Sequence, residues 1–347
     1  MALSKIQVSS MADNTIHGRR NIVINGAMQV AQRGTSSTGL GATSGYYTLD
    51  RNRLTFSGTA GRLTMTQTAD GPSGFANCLK LDCTTADTSV AAGEILILGQ
   101  NFEGQDLQQF KKGTSDAEKI TVSFYVKGNA NATYTCELYD NDNSRSIAQE
   151  FSVTASWTRV VLTFNNETSN ALDNDNASSL SLHLWLHGGS TFAGGTFASN
   201  TWHTTNANRL SDSQSSFFDS TDRTFFITGI QMEVGEQATP FEHRSFGEEQ
   251  NLCQRYFYKW INTGLDDNFN FYSPYSPAQV SAGLPNSSAI CPMTFPVTMR
   301  ASPTMATTIS GGTLNRQTST PFGFVAQMGS TSTGTHYPTQ YLADAEL

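Results

Sequence analysis

Leu180-Ser-Leu-His-Leu-Trp-Leu186 places a leucine at every second position, with serine, histidine and tryptophan in between. A period of two puts all four leucines on one face of an extended chain, which marks a half-buried antiparallel strand. The same alternation, bounded by Gly, Asn and Asp, recurs in eight further runs. These are Arg53–Phe56, Arg62–Gln67, Asn77–Asp82, Glu94–Leu98, Lys119–Val126, Tyr134–Tyr139, Trp157–Phe164 and Arg223–Glu233. Asn21-Ile-Val-Ile-Asn-Gly-Ala-Met-Gln-Val30 reads as an opening strand closed by an Asn-Gly turn signal. About ten strands in ~220 residues predict an all-β protein built on a two-sheet, jelly-roll-like β-sandwich. Trp157 and Trp185, lying inside alternating runs, are assigned to the core.

A chain of 347 residues exceeds one small core, and the usual ~100–200 residues per domain implies two. Residues 1–20 are polar and aperiodic and read as an attachment arm that orders only against a partner. The sandwich takes 21–245. Phe246–Tyr258 is the best helix in the sequence, with acids leading and Arg255 and Lys259 following, as the helix dipole favours. It is read as a linking helix over 246–260, and Glu103–Phe110 as a shorter helical turn. Residues 261–347 form a small β-rich C-terminal domain whose prolines 292, 296 and 303 confine its strands to edges or bulges. So small and Ser/Thr/Gly-rich a domain buries little alone, which points to oligomerisation.

Charged residues make up 14% of the chain, against about 25% in an average soluble protein. A net charge of −8 argues against nucleic acid as a partner. No apolar run approaches the ~20 residues a membrane span needs, and the N-terminus lacks a signal peptide's apolar stretch, so synthesis in a cytoplasm without common export is expected. Cys78, Cys83, Cys136, Cys253 and Cys291 are odd in number and scattered, and read as small buried residues in a reduced compartment.

Catalytic signatures are missing: there is no G-x-S-x-G, H-E-x-x-H, Walker loop or G-x-G-x-x-G opening a helix. His183 and His187 share a strand face roughly 13 Å apart, too far to chelate one ion. No cofactor is expected. Asp140 and Asp142, with Asp173 and Asp175, have oxygen ligands at alternating spacing that fit Ca²⁺, but Asx-rich hairpin turns explain them as well. Rings in polar loops are the better lead, because saccharide recognition sets flat rings beside polar groups. Tyr46, Tyr47, Trp202 and His203 are therefore the candidate glycan-binding residues. The run containing Phe269, Phe271, Tyr272 and Tyr275 is too aromatic for a free loop and is the candidate oligomer interface.

Five motifs taken in order carry a resemblance: Asn21–Gly34, Gly229–Gly235, Ala238–Gly247, Leu252–Phe257 and the pair Phe295–Thr304 with Ala343–Leu347. Together they resemble a family of tailed-bacteriophage virion appendage proteins, over nearly the whole chain from about residue 20. The resemblance implies a carbohydrate-binding-module-like jelly roll in a tail fibre, tail spike or head-surface protein, usually homotrimeric, located in the virion. It carries over no catalytic residue. The partners expected are other virion proteins through the arm, host-surface carbohydrate and further copies of the chain. In Gly229–Gly235, Ile230, Met232 and Val234 should point inward while Gln231 and Glu233 face out, and Glu242-His-Arg244 is expected to pair with the helix acids Glu248 and Glu249. Two other readings stand beside this one. The first is a capsid decoration or cement protein without a glycan ligand. The second is a glycan-degrading spike, for which Glu137, Asp140 and Asp142 are the only plausible carboxylates.

Overall fold

The computed structural model describes residues 19–261, 288–310, 312–330 and 337–347. Its contacts divide into two units, one ending at Phe246 and the other beginning at Gly247.

Twelve strands build the first unit: β1 (Ser36–Leu40), β2 (Gly45–Tyr46), β3 (Arg53–Ser57), β4 (Arg62–Thr68), β5 (Cys78–Thr85), β6 (Ile95–Glu103), β7 (Ile120–Gly128), β8 (Ala132–Asp140), β9 (Arg145–Val153), β10 (Thr158–Phe164), β11 (Ser178–Gly188) and β12 (Thr224–Val234). They form two six-stranded antiparallel sheets, in the orders β1-β4-β5-β12-β7-β10 and β2-β3-β6-β11-β8-β9. The alternate apolar residues of both meet in one core. Leu63, Leu81, Phe124 and Ile227 come from the first sheet, and Leu54, Leu98, Leu138 and Leu184 from the second. The protein is thus a jelly-roll-like sandwich, stabilised by about 1.5–3 kcal/mol for each large apolar side chain withdrawn from water. All nine alternating runs form strands. β9 was not expected because the polar Gln149 stands at an inward position between Ile147 and Phe151 and breaks the pattern.

The opening strand is a correction. Residues 21–30 pack deep in the fold but as an irregular turn, with Asn25 and Met28 at positive φ of 60° and 56°. Asn25 explains the shape. Its side chain donates to the carbonyls of Val30 and Asp50 and accepts from the N–H groups of Gln29 and Val30, standing in for a backbone turn. At β12 a bulge at Gly229 (φ 63°) interrupts the ladder, and Asn21 fills the breach: its amide donates to the Ile230 carbonyl and its oxygen accepts from Met232 N–H. A Cβ at Gly26 would sit 2.1 Å from the Ile230 carbonyl oxygen, so only glycine passes there.

Gln231 and Glu233 alternate outward as expected. Both point away from the core, yet both are buried, because residues 239–242 fold over them. Thr239 donates its N–H and hydroxyl to Glu233, and Glu242 N–H donates to Gln231. The Glu242 carboxylate in turn accepts from the backbone N–H groups of Arg20 (2.6 Å) and Asn21 (2.7 Å), and Arg244 donates to the carbonyls of Asn21 and Val23.

A short helix, α1 (Ser190–Ala193), lies in the long β11–β12 connection. In the second unit α2 (Phe246–Gln254) is shorter than the 246–260 expected, since the aromatic run Phe257–Ile261 leaves the helix to become strand β13. Strands β14 (Ser288–Thr294), β15 (Thr304–Ser310), β16 (Gly312–Thr320), β17 (Gly323–Ser330) and β18 (Tyr337–Asp344) complete two three-stranded sheets, β13-β18-β15 and β14-β17-β16. Phe295, Met299, Phe324, Tyr341 and Ala343 form their core. Pro292 lies on the edge strand β14, where its missing N–H breaks no ladder.

Candidate functional site

Because the leucines of β11 face the core, Ser181, His183 and Trp185 face outward, and cross-strand register shows what stands beside them. One row crosses all six strands of the second sheet: Tyr46 opposite Arg53, Arg53 opposite Gly99, Gly99 opposite His183, His183 opposite Glu137, and Glu137 opposite Ala148. The neighbouring row runs Asn101, Ser181, Tyr139, Ser146, and the row on the other side Thr55, Ile97, Trp185, Thr135, Glu150.

This outer face is closed at both ends and open in the middle. At one end the β11–β12 connection lays Phe192 and Leu210 over Ile97 and Trp185, and Trp185 is only 1% exposed. At the other, Glu103 and Ser179 are fully buried, and Gly104 sits so tightly that a Cβ would come within 2.1 Å of the Asp173 carbonyl oxygen. Between them Tyr46, Arg53, Thr55, Gly99, Asn101, Tyr139 and His183 stay half-exposed. The result is a strip of rings, hydroxyls and charged tips, with the His183 ring leaning over Gly99, its Cδ2 3.1 Å from where a Cβ would stand.

Glu137 anchors the strip. It is fully buried and accepts from Arg209 Nε and Nη2 (2.6 Å each), from Trp185 Nε1 (2.8 Å) and from His183 Nδ1 (3.0 Å). Burial works against its charge, but Arg209 and His183 more than offset that and hold the carboxyl down at about 2. The Arg209 guanidinium also lies 4.7 Å from the centre of the Tyr139 ring, and that ring stacks on His183. His183 and Tyr139 are therefore held in place by buried Glu137 and its partner Arg209.

The four candidate glycan residues do not converge. Tyr46 lies on this strip, with the Arg33 guanidinium 5.3 Å from its ring centre. Tyr47 alternates to the other side, packs against the core, and donates its hydroxyl to the Thr43 carbonyl. Trp202 is not a free ring: it packs on the core, donates Nε1 to the Asn165 carbonyl (2.9 Å) and lies 4.7 Å from Lys112 Nζ. His203 bridges to Ser146 on β9, at the sheet edge opposite Tyr46. Five strand-to-strand steps of ~4.8 Å separate the two edges, so no single sugar ring reaches both pairs. Trp157 is also corrected: it is half-exposed on the outer face of the first sheet, against Phe226 and 5.2 Å from Lys127 Nζ, because it precedes the inward-facing Thr158 by one residue. Phe269, Phe271, Tyr272 and Tyr275 lie outside the described residues.

The acidic clusters are occupied by the protein itself. Asp140 is buried against Lys112, which also meets Glu167 at 3.1 Å and the Asn170 carbonyl, while Arg145 meets Glu167 at 3.0 Å. Asp142 accepts from Asp173 N–H, joining the two clusters, and Asp175 accepts from Ala177 N–H in an Asx turn. Among the described residues no group of three His, Cys, Asp or Glu could hold a metal ion. Cys78, Cys83, Cys136 and Cys253 are buried. No helix among the described residues is long and apolar enough to cross a membrane.

One arrangement escaped the sequence because its members lie far apart in the chain. His187, fully buried, contacts Glu94 through Nε2 (3.1 Å) and Ser216 Oγ through Nδ1 (2.8 Å). With Nε2–H donating to the carboxylate, Nδ1 accepts from the serine hydroxyl. The two backbone N–H groups beside Ser216 are engaged, Phe217 with the Leu186 carbonyl and Phe218 with Ser216 Oγ. These contacts pin the β11–β12 connection to the sheet.

No family model matches the sequence, and no curated protein matches it. Solved structures do. A carbohydrate-binding module of family 4 is 9% identical with a TM-score of 0.31, covering 60% of this chain and 99% of its own. TmCBM61, solved in complex with β-1,4-galactotriose, is 8% identical with a TM-score of 0.33, covering 62% and 99%. The enzymatically active domain of tailspike protein 4 from bacteriophage CBA120 is 11% identical with a TM-score of 0.32, covering 62% of this chain and 21% of its own.

Proposed function

We propose that the protein is a non-enzymatic glycan-recognition protein of a phage virion, a short tail fibre, spike or surface appendage. Its strip on the second sheet binds a saccharide chain on the host surface. The observation that carries the reading is the register row Tyr46–Arg53–Gly99–His183, left half-exposed between two covered ends. Rings at Tyr46 and Tyr139 offer apolar faces for sugar C–H groups, while Arg53, Asn101 and His183 offer hydrogen bonds.

The five ordered motifs support the virion setting, in which the arm before residue 19 docks to another virion protein. Exposed Leu314, Phe322 and Val325 on the β16–β17 hairpin support self-association, a homotrimer by the motif resemblance. Several copies, each binding weakly, give effective attachment through avidity. The non-enzymatic reading rests on the carboxylates: Glu137 and Asp140, two of the three that a glycosidase reading needs, are buried in ion pairs with Arg209 and Lys112. A decoration role without glycan is favoured by one feature, the half-exposed Trp157, Phe226 and Tyr125 on the opposite sheet.

The test is glycan-array binding of the full-length chain with and without Tyr46→Ala and Tyr139→Ala, combined with light scattering for mass and a reducing-end assay on each bound polysaccharide. Array binding lost in both variants at an unchanged fold supports the strip. A chain that binds no glycan moves the reading to decoration, and released reducing ends would overturn the non-enzymatic assignment.

A further inference from the structure

We infer that the saccharide held by this strip is anionic, and that Arg53 is the residue that selects it. The inference rests on the proposed glycan-binding role and names the ligand class of that same site.

The argument follows the charges along the strip. Glu137 is matched by the bidentate Arg209. Asp50, at the edge near Tyr46, is fully buried and faces Arg33 at 3.8 Å as well as the Gln32 amide. Arg53 has no such match. It stands in the middle of the open row, half-exposed, and its guanidinium makes one hydrogen bond, from Nη1 to the Thr55 hydroxyl at 3.1 Å. Its side chain shares the outer face with Tyr46 on one side and Gly99 on the other. A guanidinium carries five N–H donors in a planar fork, and four of these remain for a ligand.

Geometry gives that fork something to face. Between Arg53 and His183 stands only Gly99, so two strand spacings, ~10 Å of floor, separate their backbones with no side chain from the intervening strand. The His183 ring leans across this floor, its Cδ2 3.1 Å from where a Gly99 Cβ would stand, so a sugar ring resting against it has its substituents directed back at Arg53. A carboxylate or sulfate on that ring meets the fork, which suits either group bidentately. The protein's net charge of −8 adds a filter, because polyanions are repelled by the molecule as a whole and gain only where a local cation is unmatched.

Affinity electrophoresis of the full-length chain tests this with matched pairs: polygalacturonate against its methyl ester, and dextran sulfate against dextran. The expected result is retardation by one or both anionic members and not by their neutral partners, weakening as salt rises. Which anion retards identifies carboxylate or sulfate as the group held. Arg53→Gln should lower that affinity ~10–100-fold, the worth of a charge-assisted hydrogen bond, and Arg53→Lys should retain part of it. Arg316→Gln, an exposed arginine of the second unit, should leave it unchanged, and melting curves should show all three variants folded. Equal binding of neutral and anionic partners, or an Arg53→Gln chain that binds as before, overturns the anionic assignment while leaving glycan binding in place. Failure to bind any saccharide, on these matrices or on an array, overturns both.

Discussion

Arg209 and Glu137 form a two-pronged ion pair in which Nε and Nη2 each lie 2.6 Å from a separate carboxylate oxygen. Glu137 belongs to the middle of a sheet, while Arg209 comes from the long β11–β12 connection, so the pair fastens a loop to the sheet beneath it. Replacing Arg209 with Met leaves a fully buried carboxylate without its cation. Breaking a buried pair this way costs about 3–5 kcal/mol. Arg209→Met should lower the melting temperature sharply, whereas Glu137→Gln combined with Arg209→Met should recover part of the loss. Thermal unfolding of the three proteins checks this.

The second buried network gives a parallel expectation. Lys112 sits between Asp140 and Glu167, so Lys112→Met strands Asp140, leaves Glu167 with Arg145, and should destabilise by about 3–5 kcal/mol. Since the oxygens at Asp140, Asp142 and Asp175 already accept hydrogen bonds from the protein, millimolar Ca²⁺ and EDTA should leave the melting curve of the unaltered chain where it is. A calcium-dependent rise would restore the cation reading of these turns.

His187 predicts how stability depends on pH. Burial pushes its pKa below the ordinary value, and the Glu94 carboxylate only partly opposes this, so the folded chain prefers the neutral ring. A group with a depressed imidazole pKa contributes its full stability above the unfolded value of about 6.5, and loses it as pH falls toward the folded value. The melting temperature should be level above about pH 7 and decline below ~6.5. In His187→Gln that slope should shrink. Glu137, held near 2, adds its own loss only in stronger acid, below the ordinary carboxylate range of about 4.3.

Trp202 separates a structural role from a binding role. Its ring packs on the core and against Lys112, and its N–H is bonded, so Trp202→Ala removes buried area and an indole hydrogen bond together. A loss of about 3 kcal/mol is expected, near the lower end for large-to-small core changes, since the ring is only half-buried. Saccharide affinity of the fraction that remains folded should be unchanged. Reduced affinity at an unchanged melting temperature would return Trp202 to the site.

The strands were legible because Leu180–Leu186 and its eight counterparts each repeat with the period of a pleated chain, and every residue in the repeat testifies to the same face. Asn21–Val30 was misread for a physical reason: Asn25 and Met28 take left-handed backbone conformations, and the segment's apolar residues are buried by tertiary contact with β12. The candidate site was legible only at Tyr46. Tyr46, Arg53, Gly99, His183 and Glu137 become neighbours through the pairing of strands distant in sequence, and Arg209 comes from a connection with no periodicity. Trp202 and His203 misled because a ring between polar residues looks the same in sequence whether it is free or anchored by Lys112 and Ser146.

The contacts of Glu242 with Arg20 and Asn21, and of Arg244 with Asn21 and Val23, have a mechanical consequence. The chain enters the sandwich and leaves it at one place, so a pull between residue 19 and residue 245 is carried by those few hydrogen bonds side by side. The twelve strands lie off the load path. A sandwich closed in this way can bear tension between residues 19 and 245 while the register of its sheets, and with it the spacing of Arg53, Gly99 and His183, is left undisturbed.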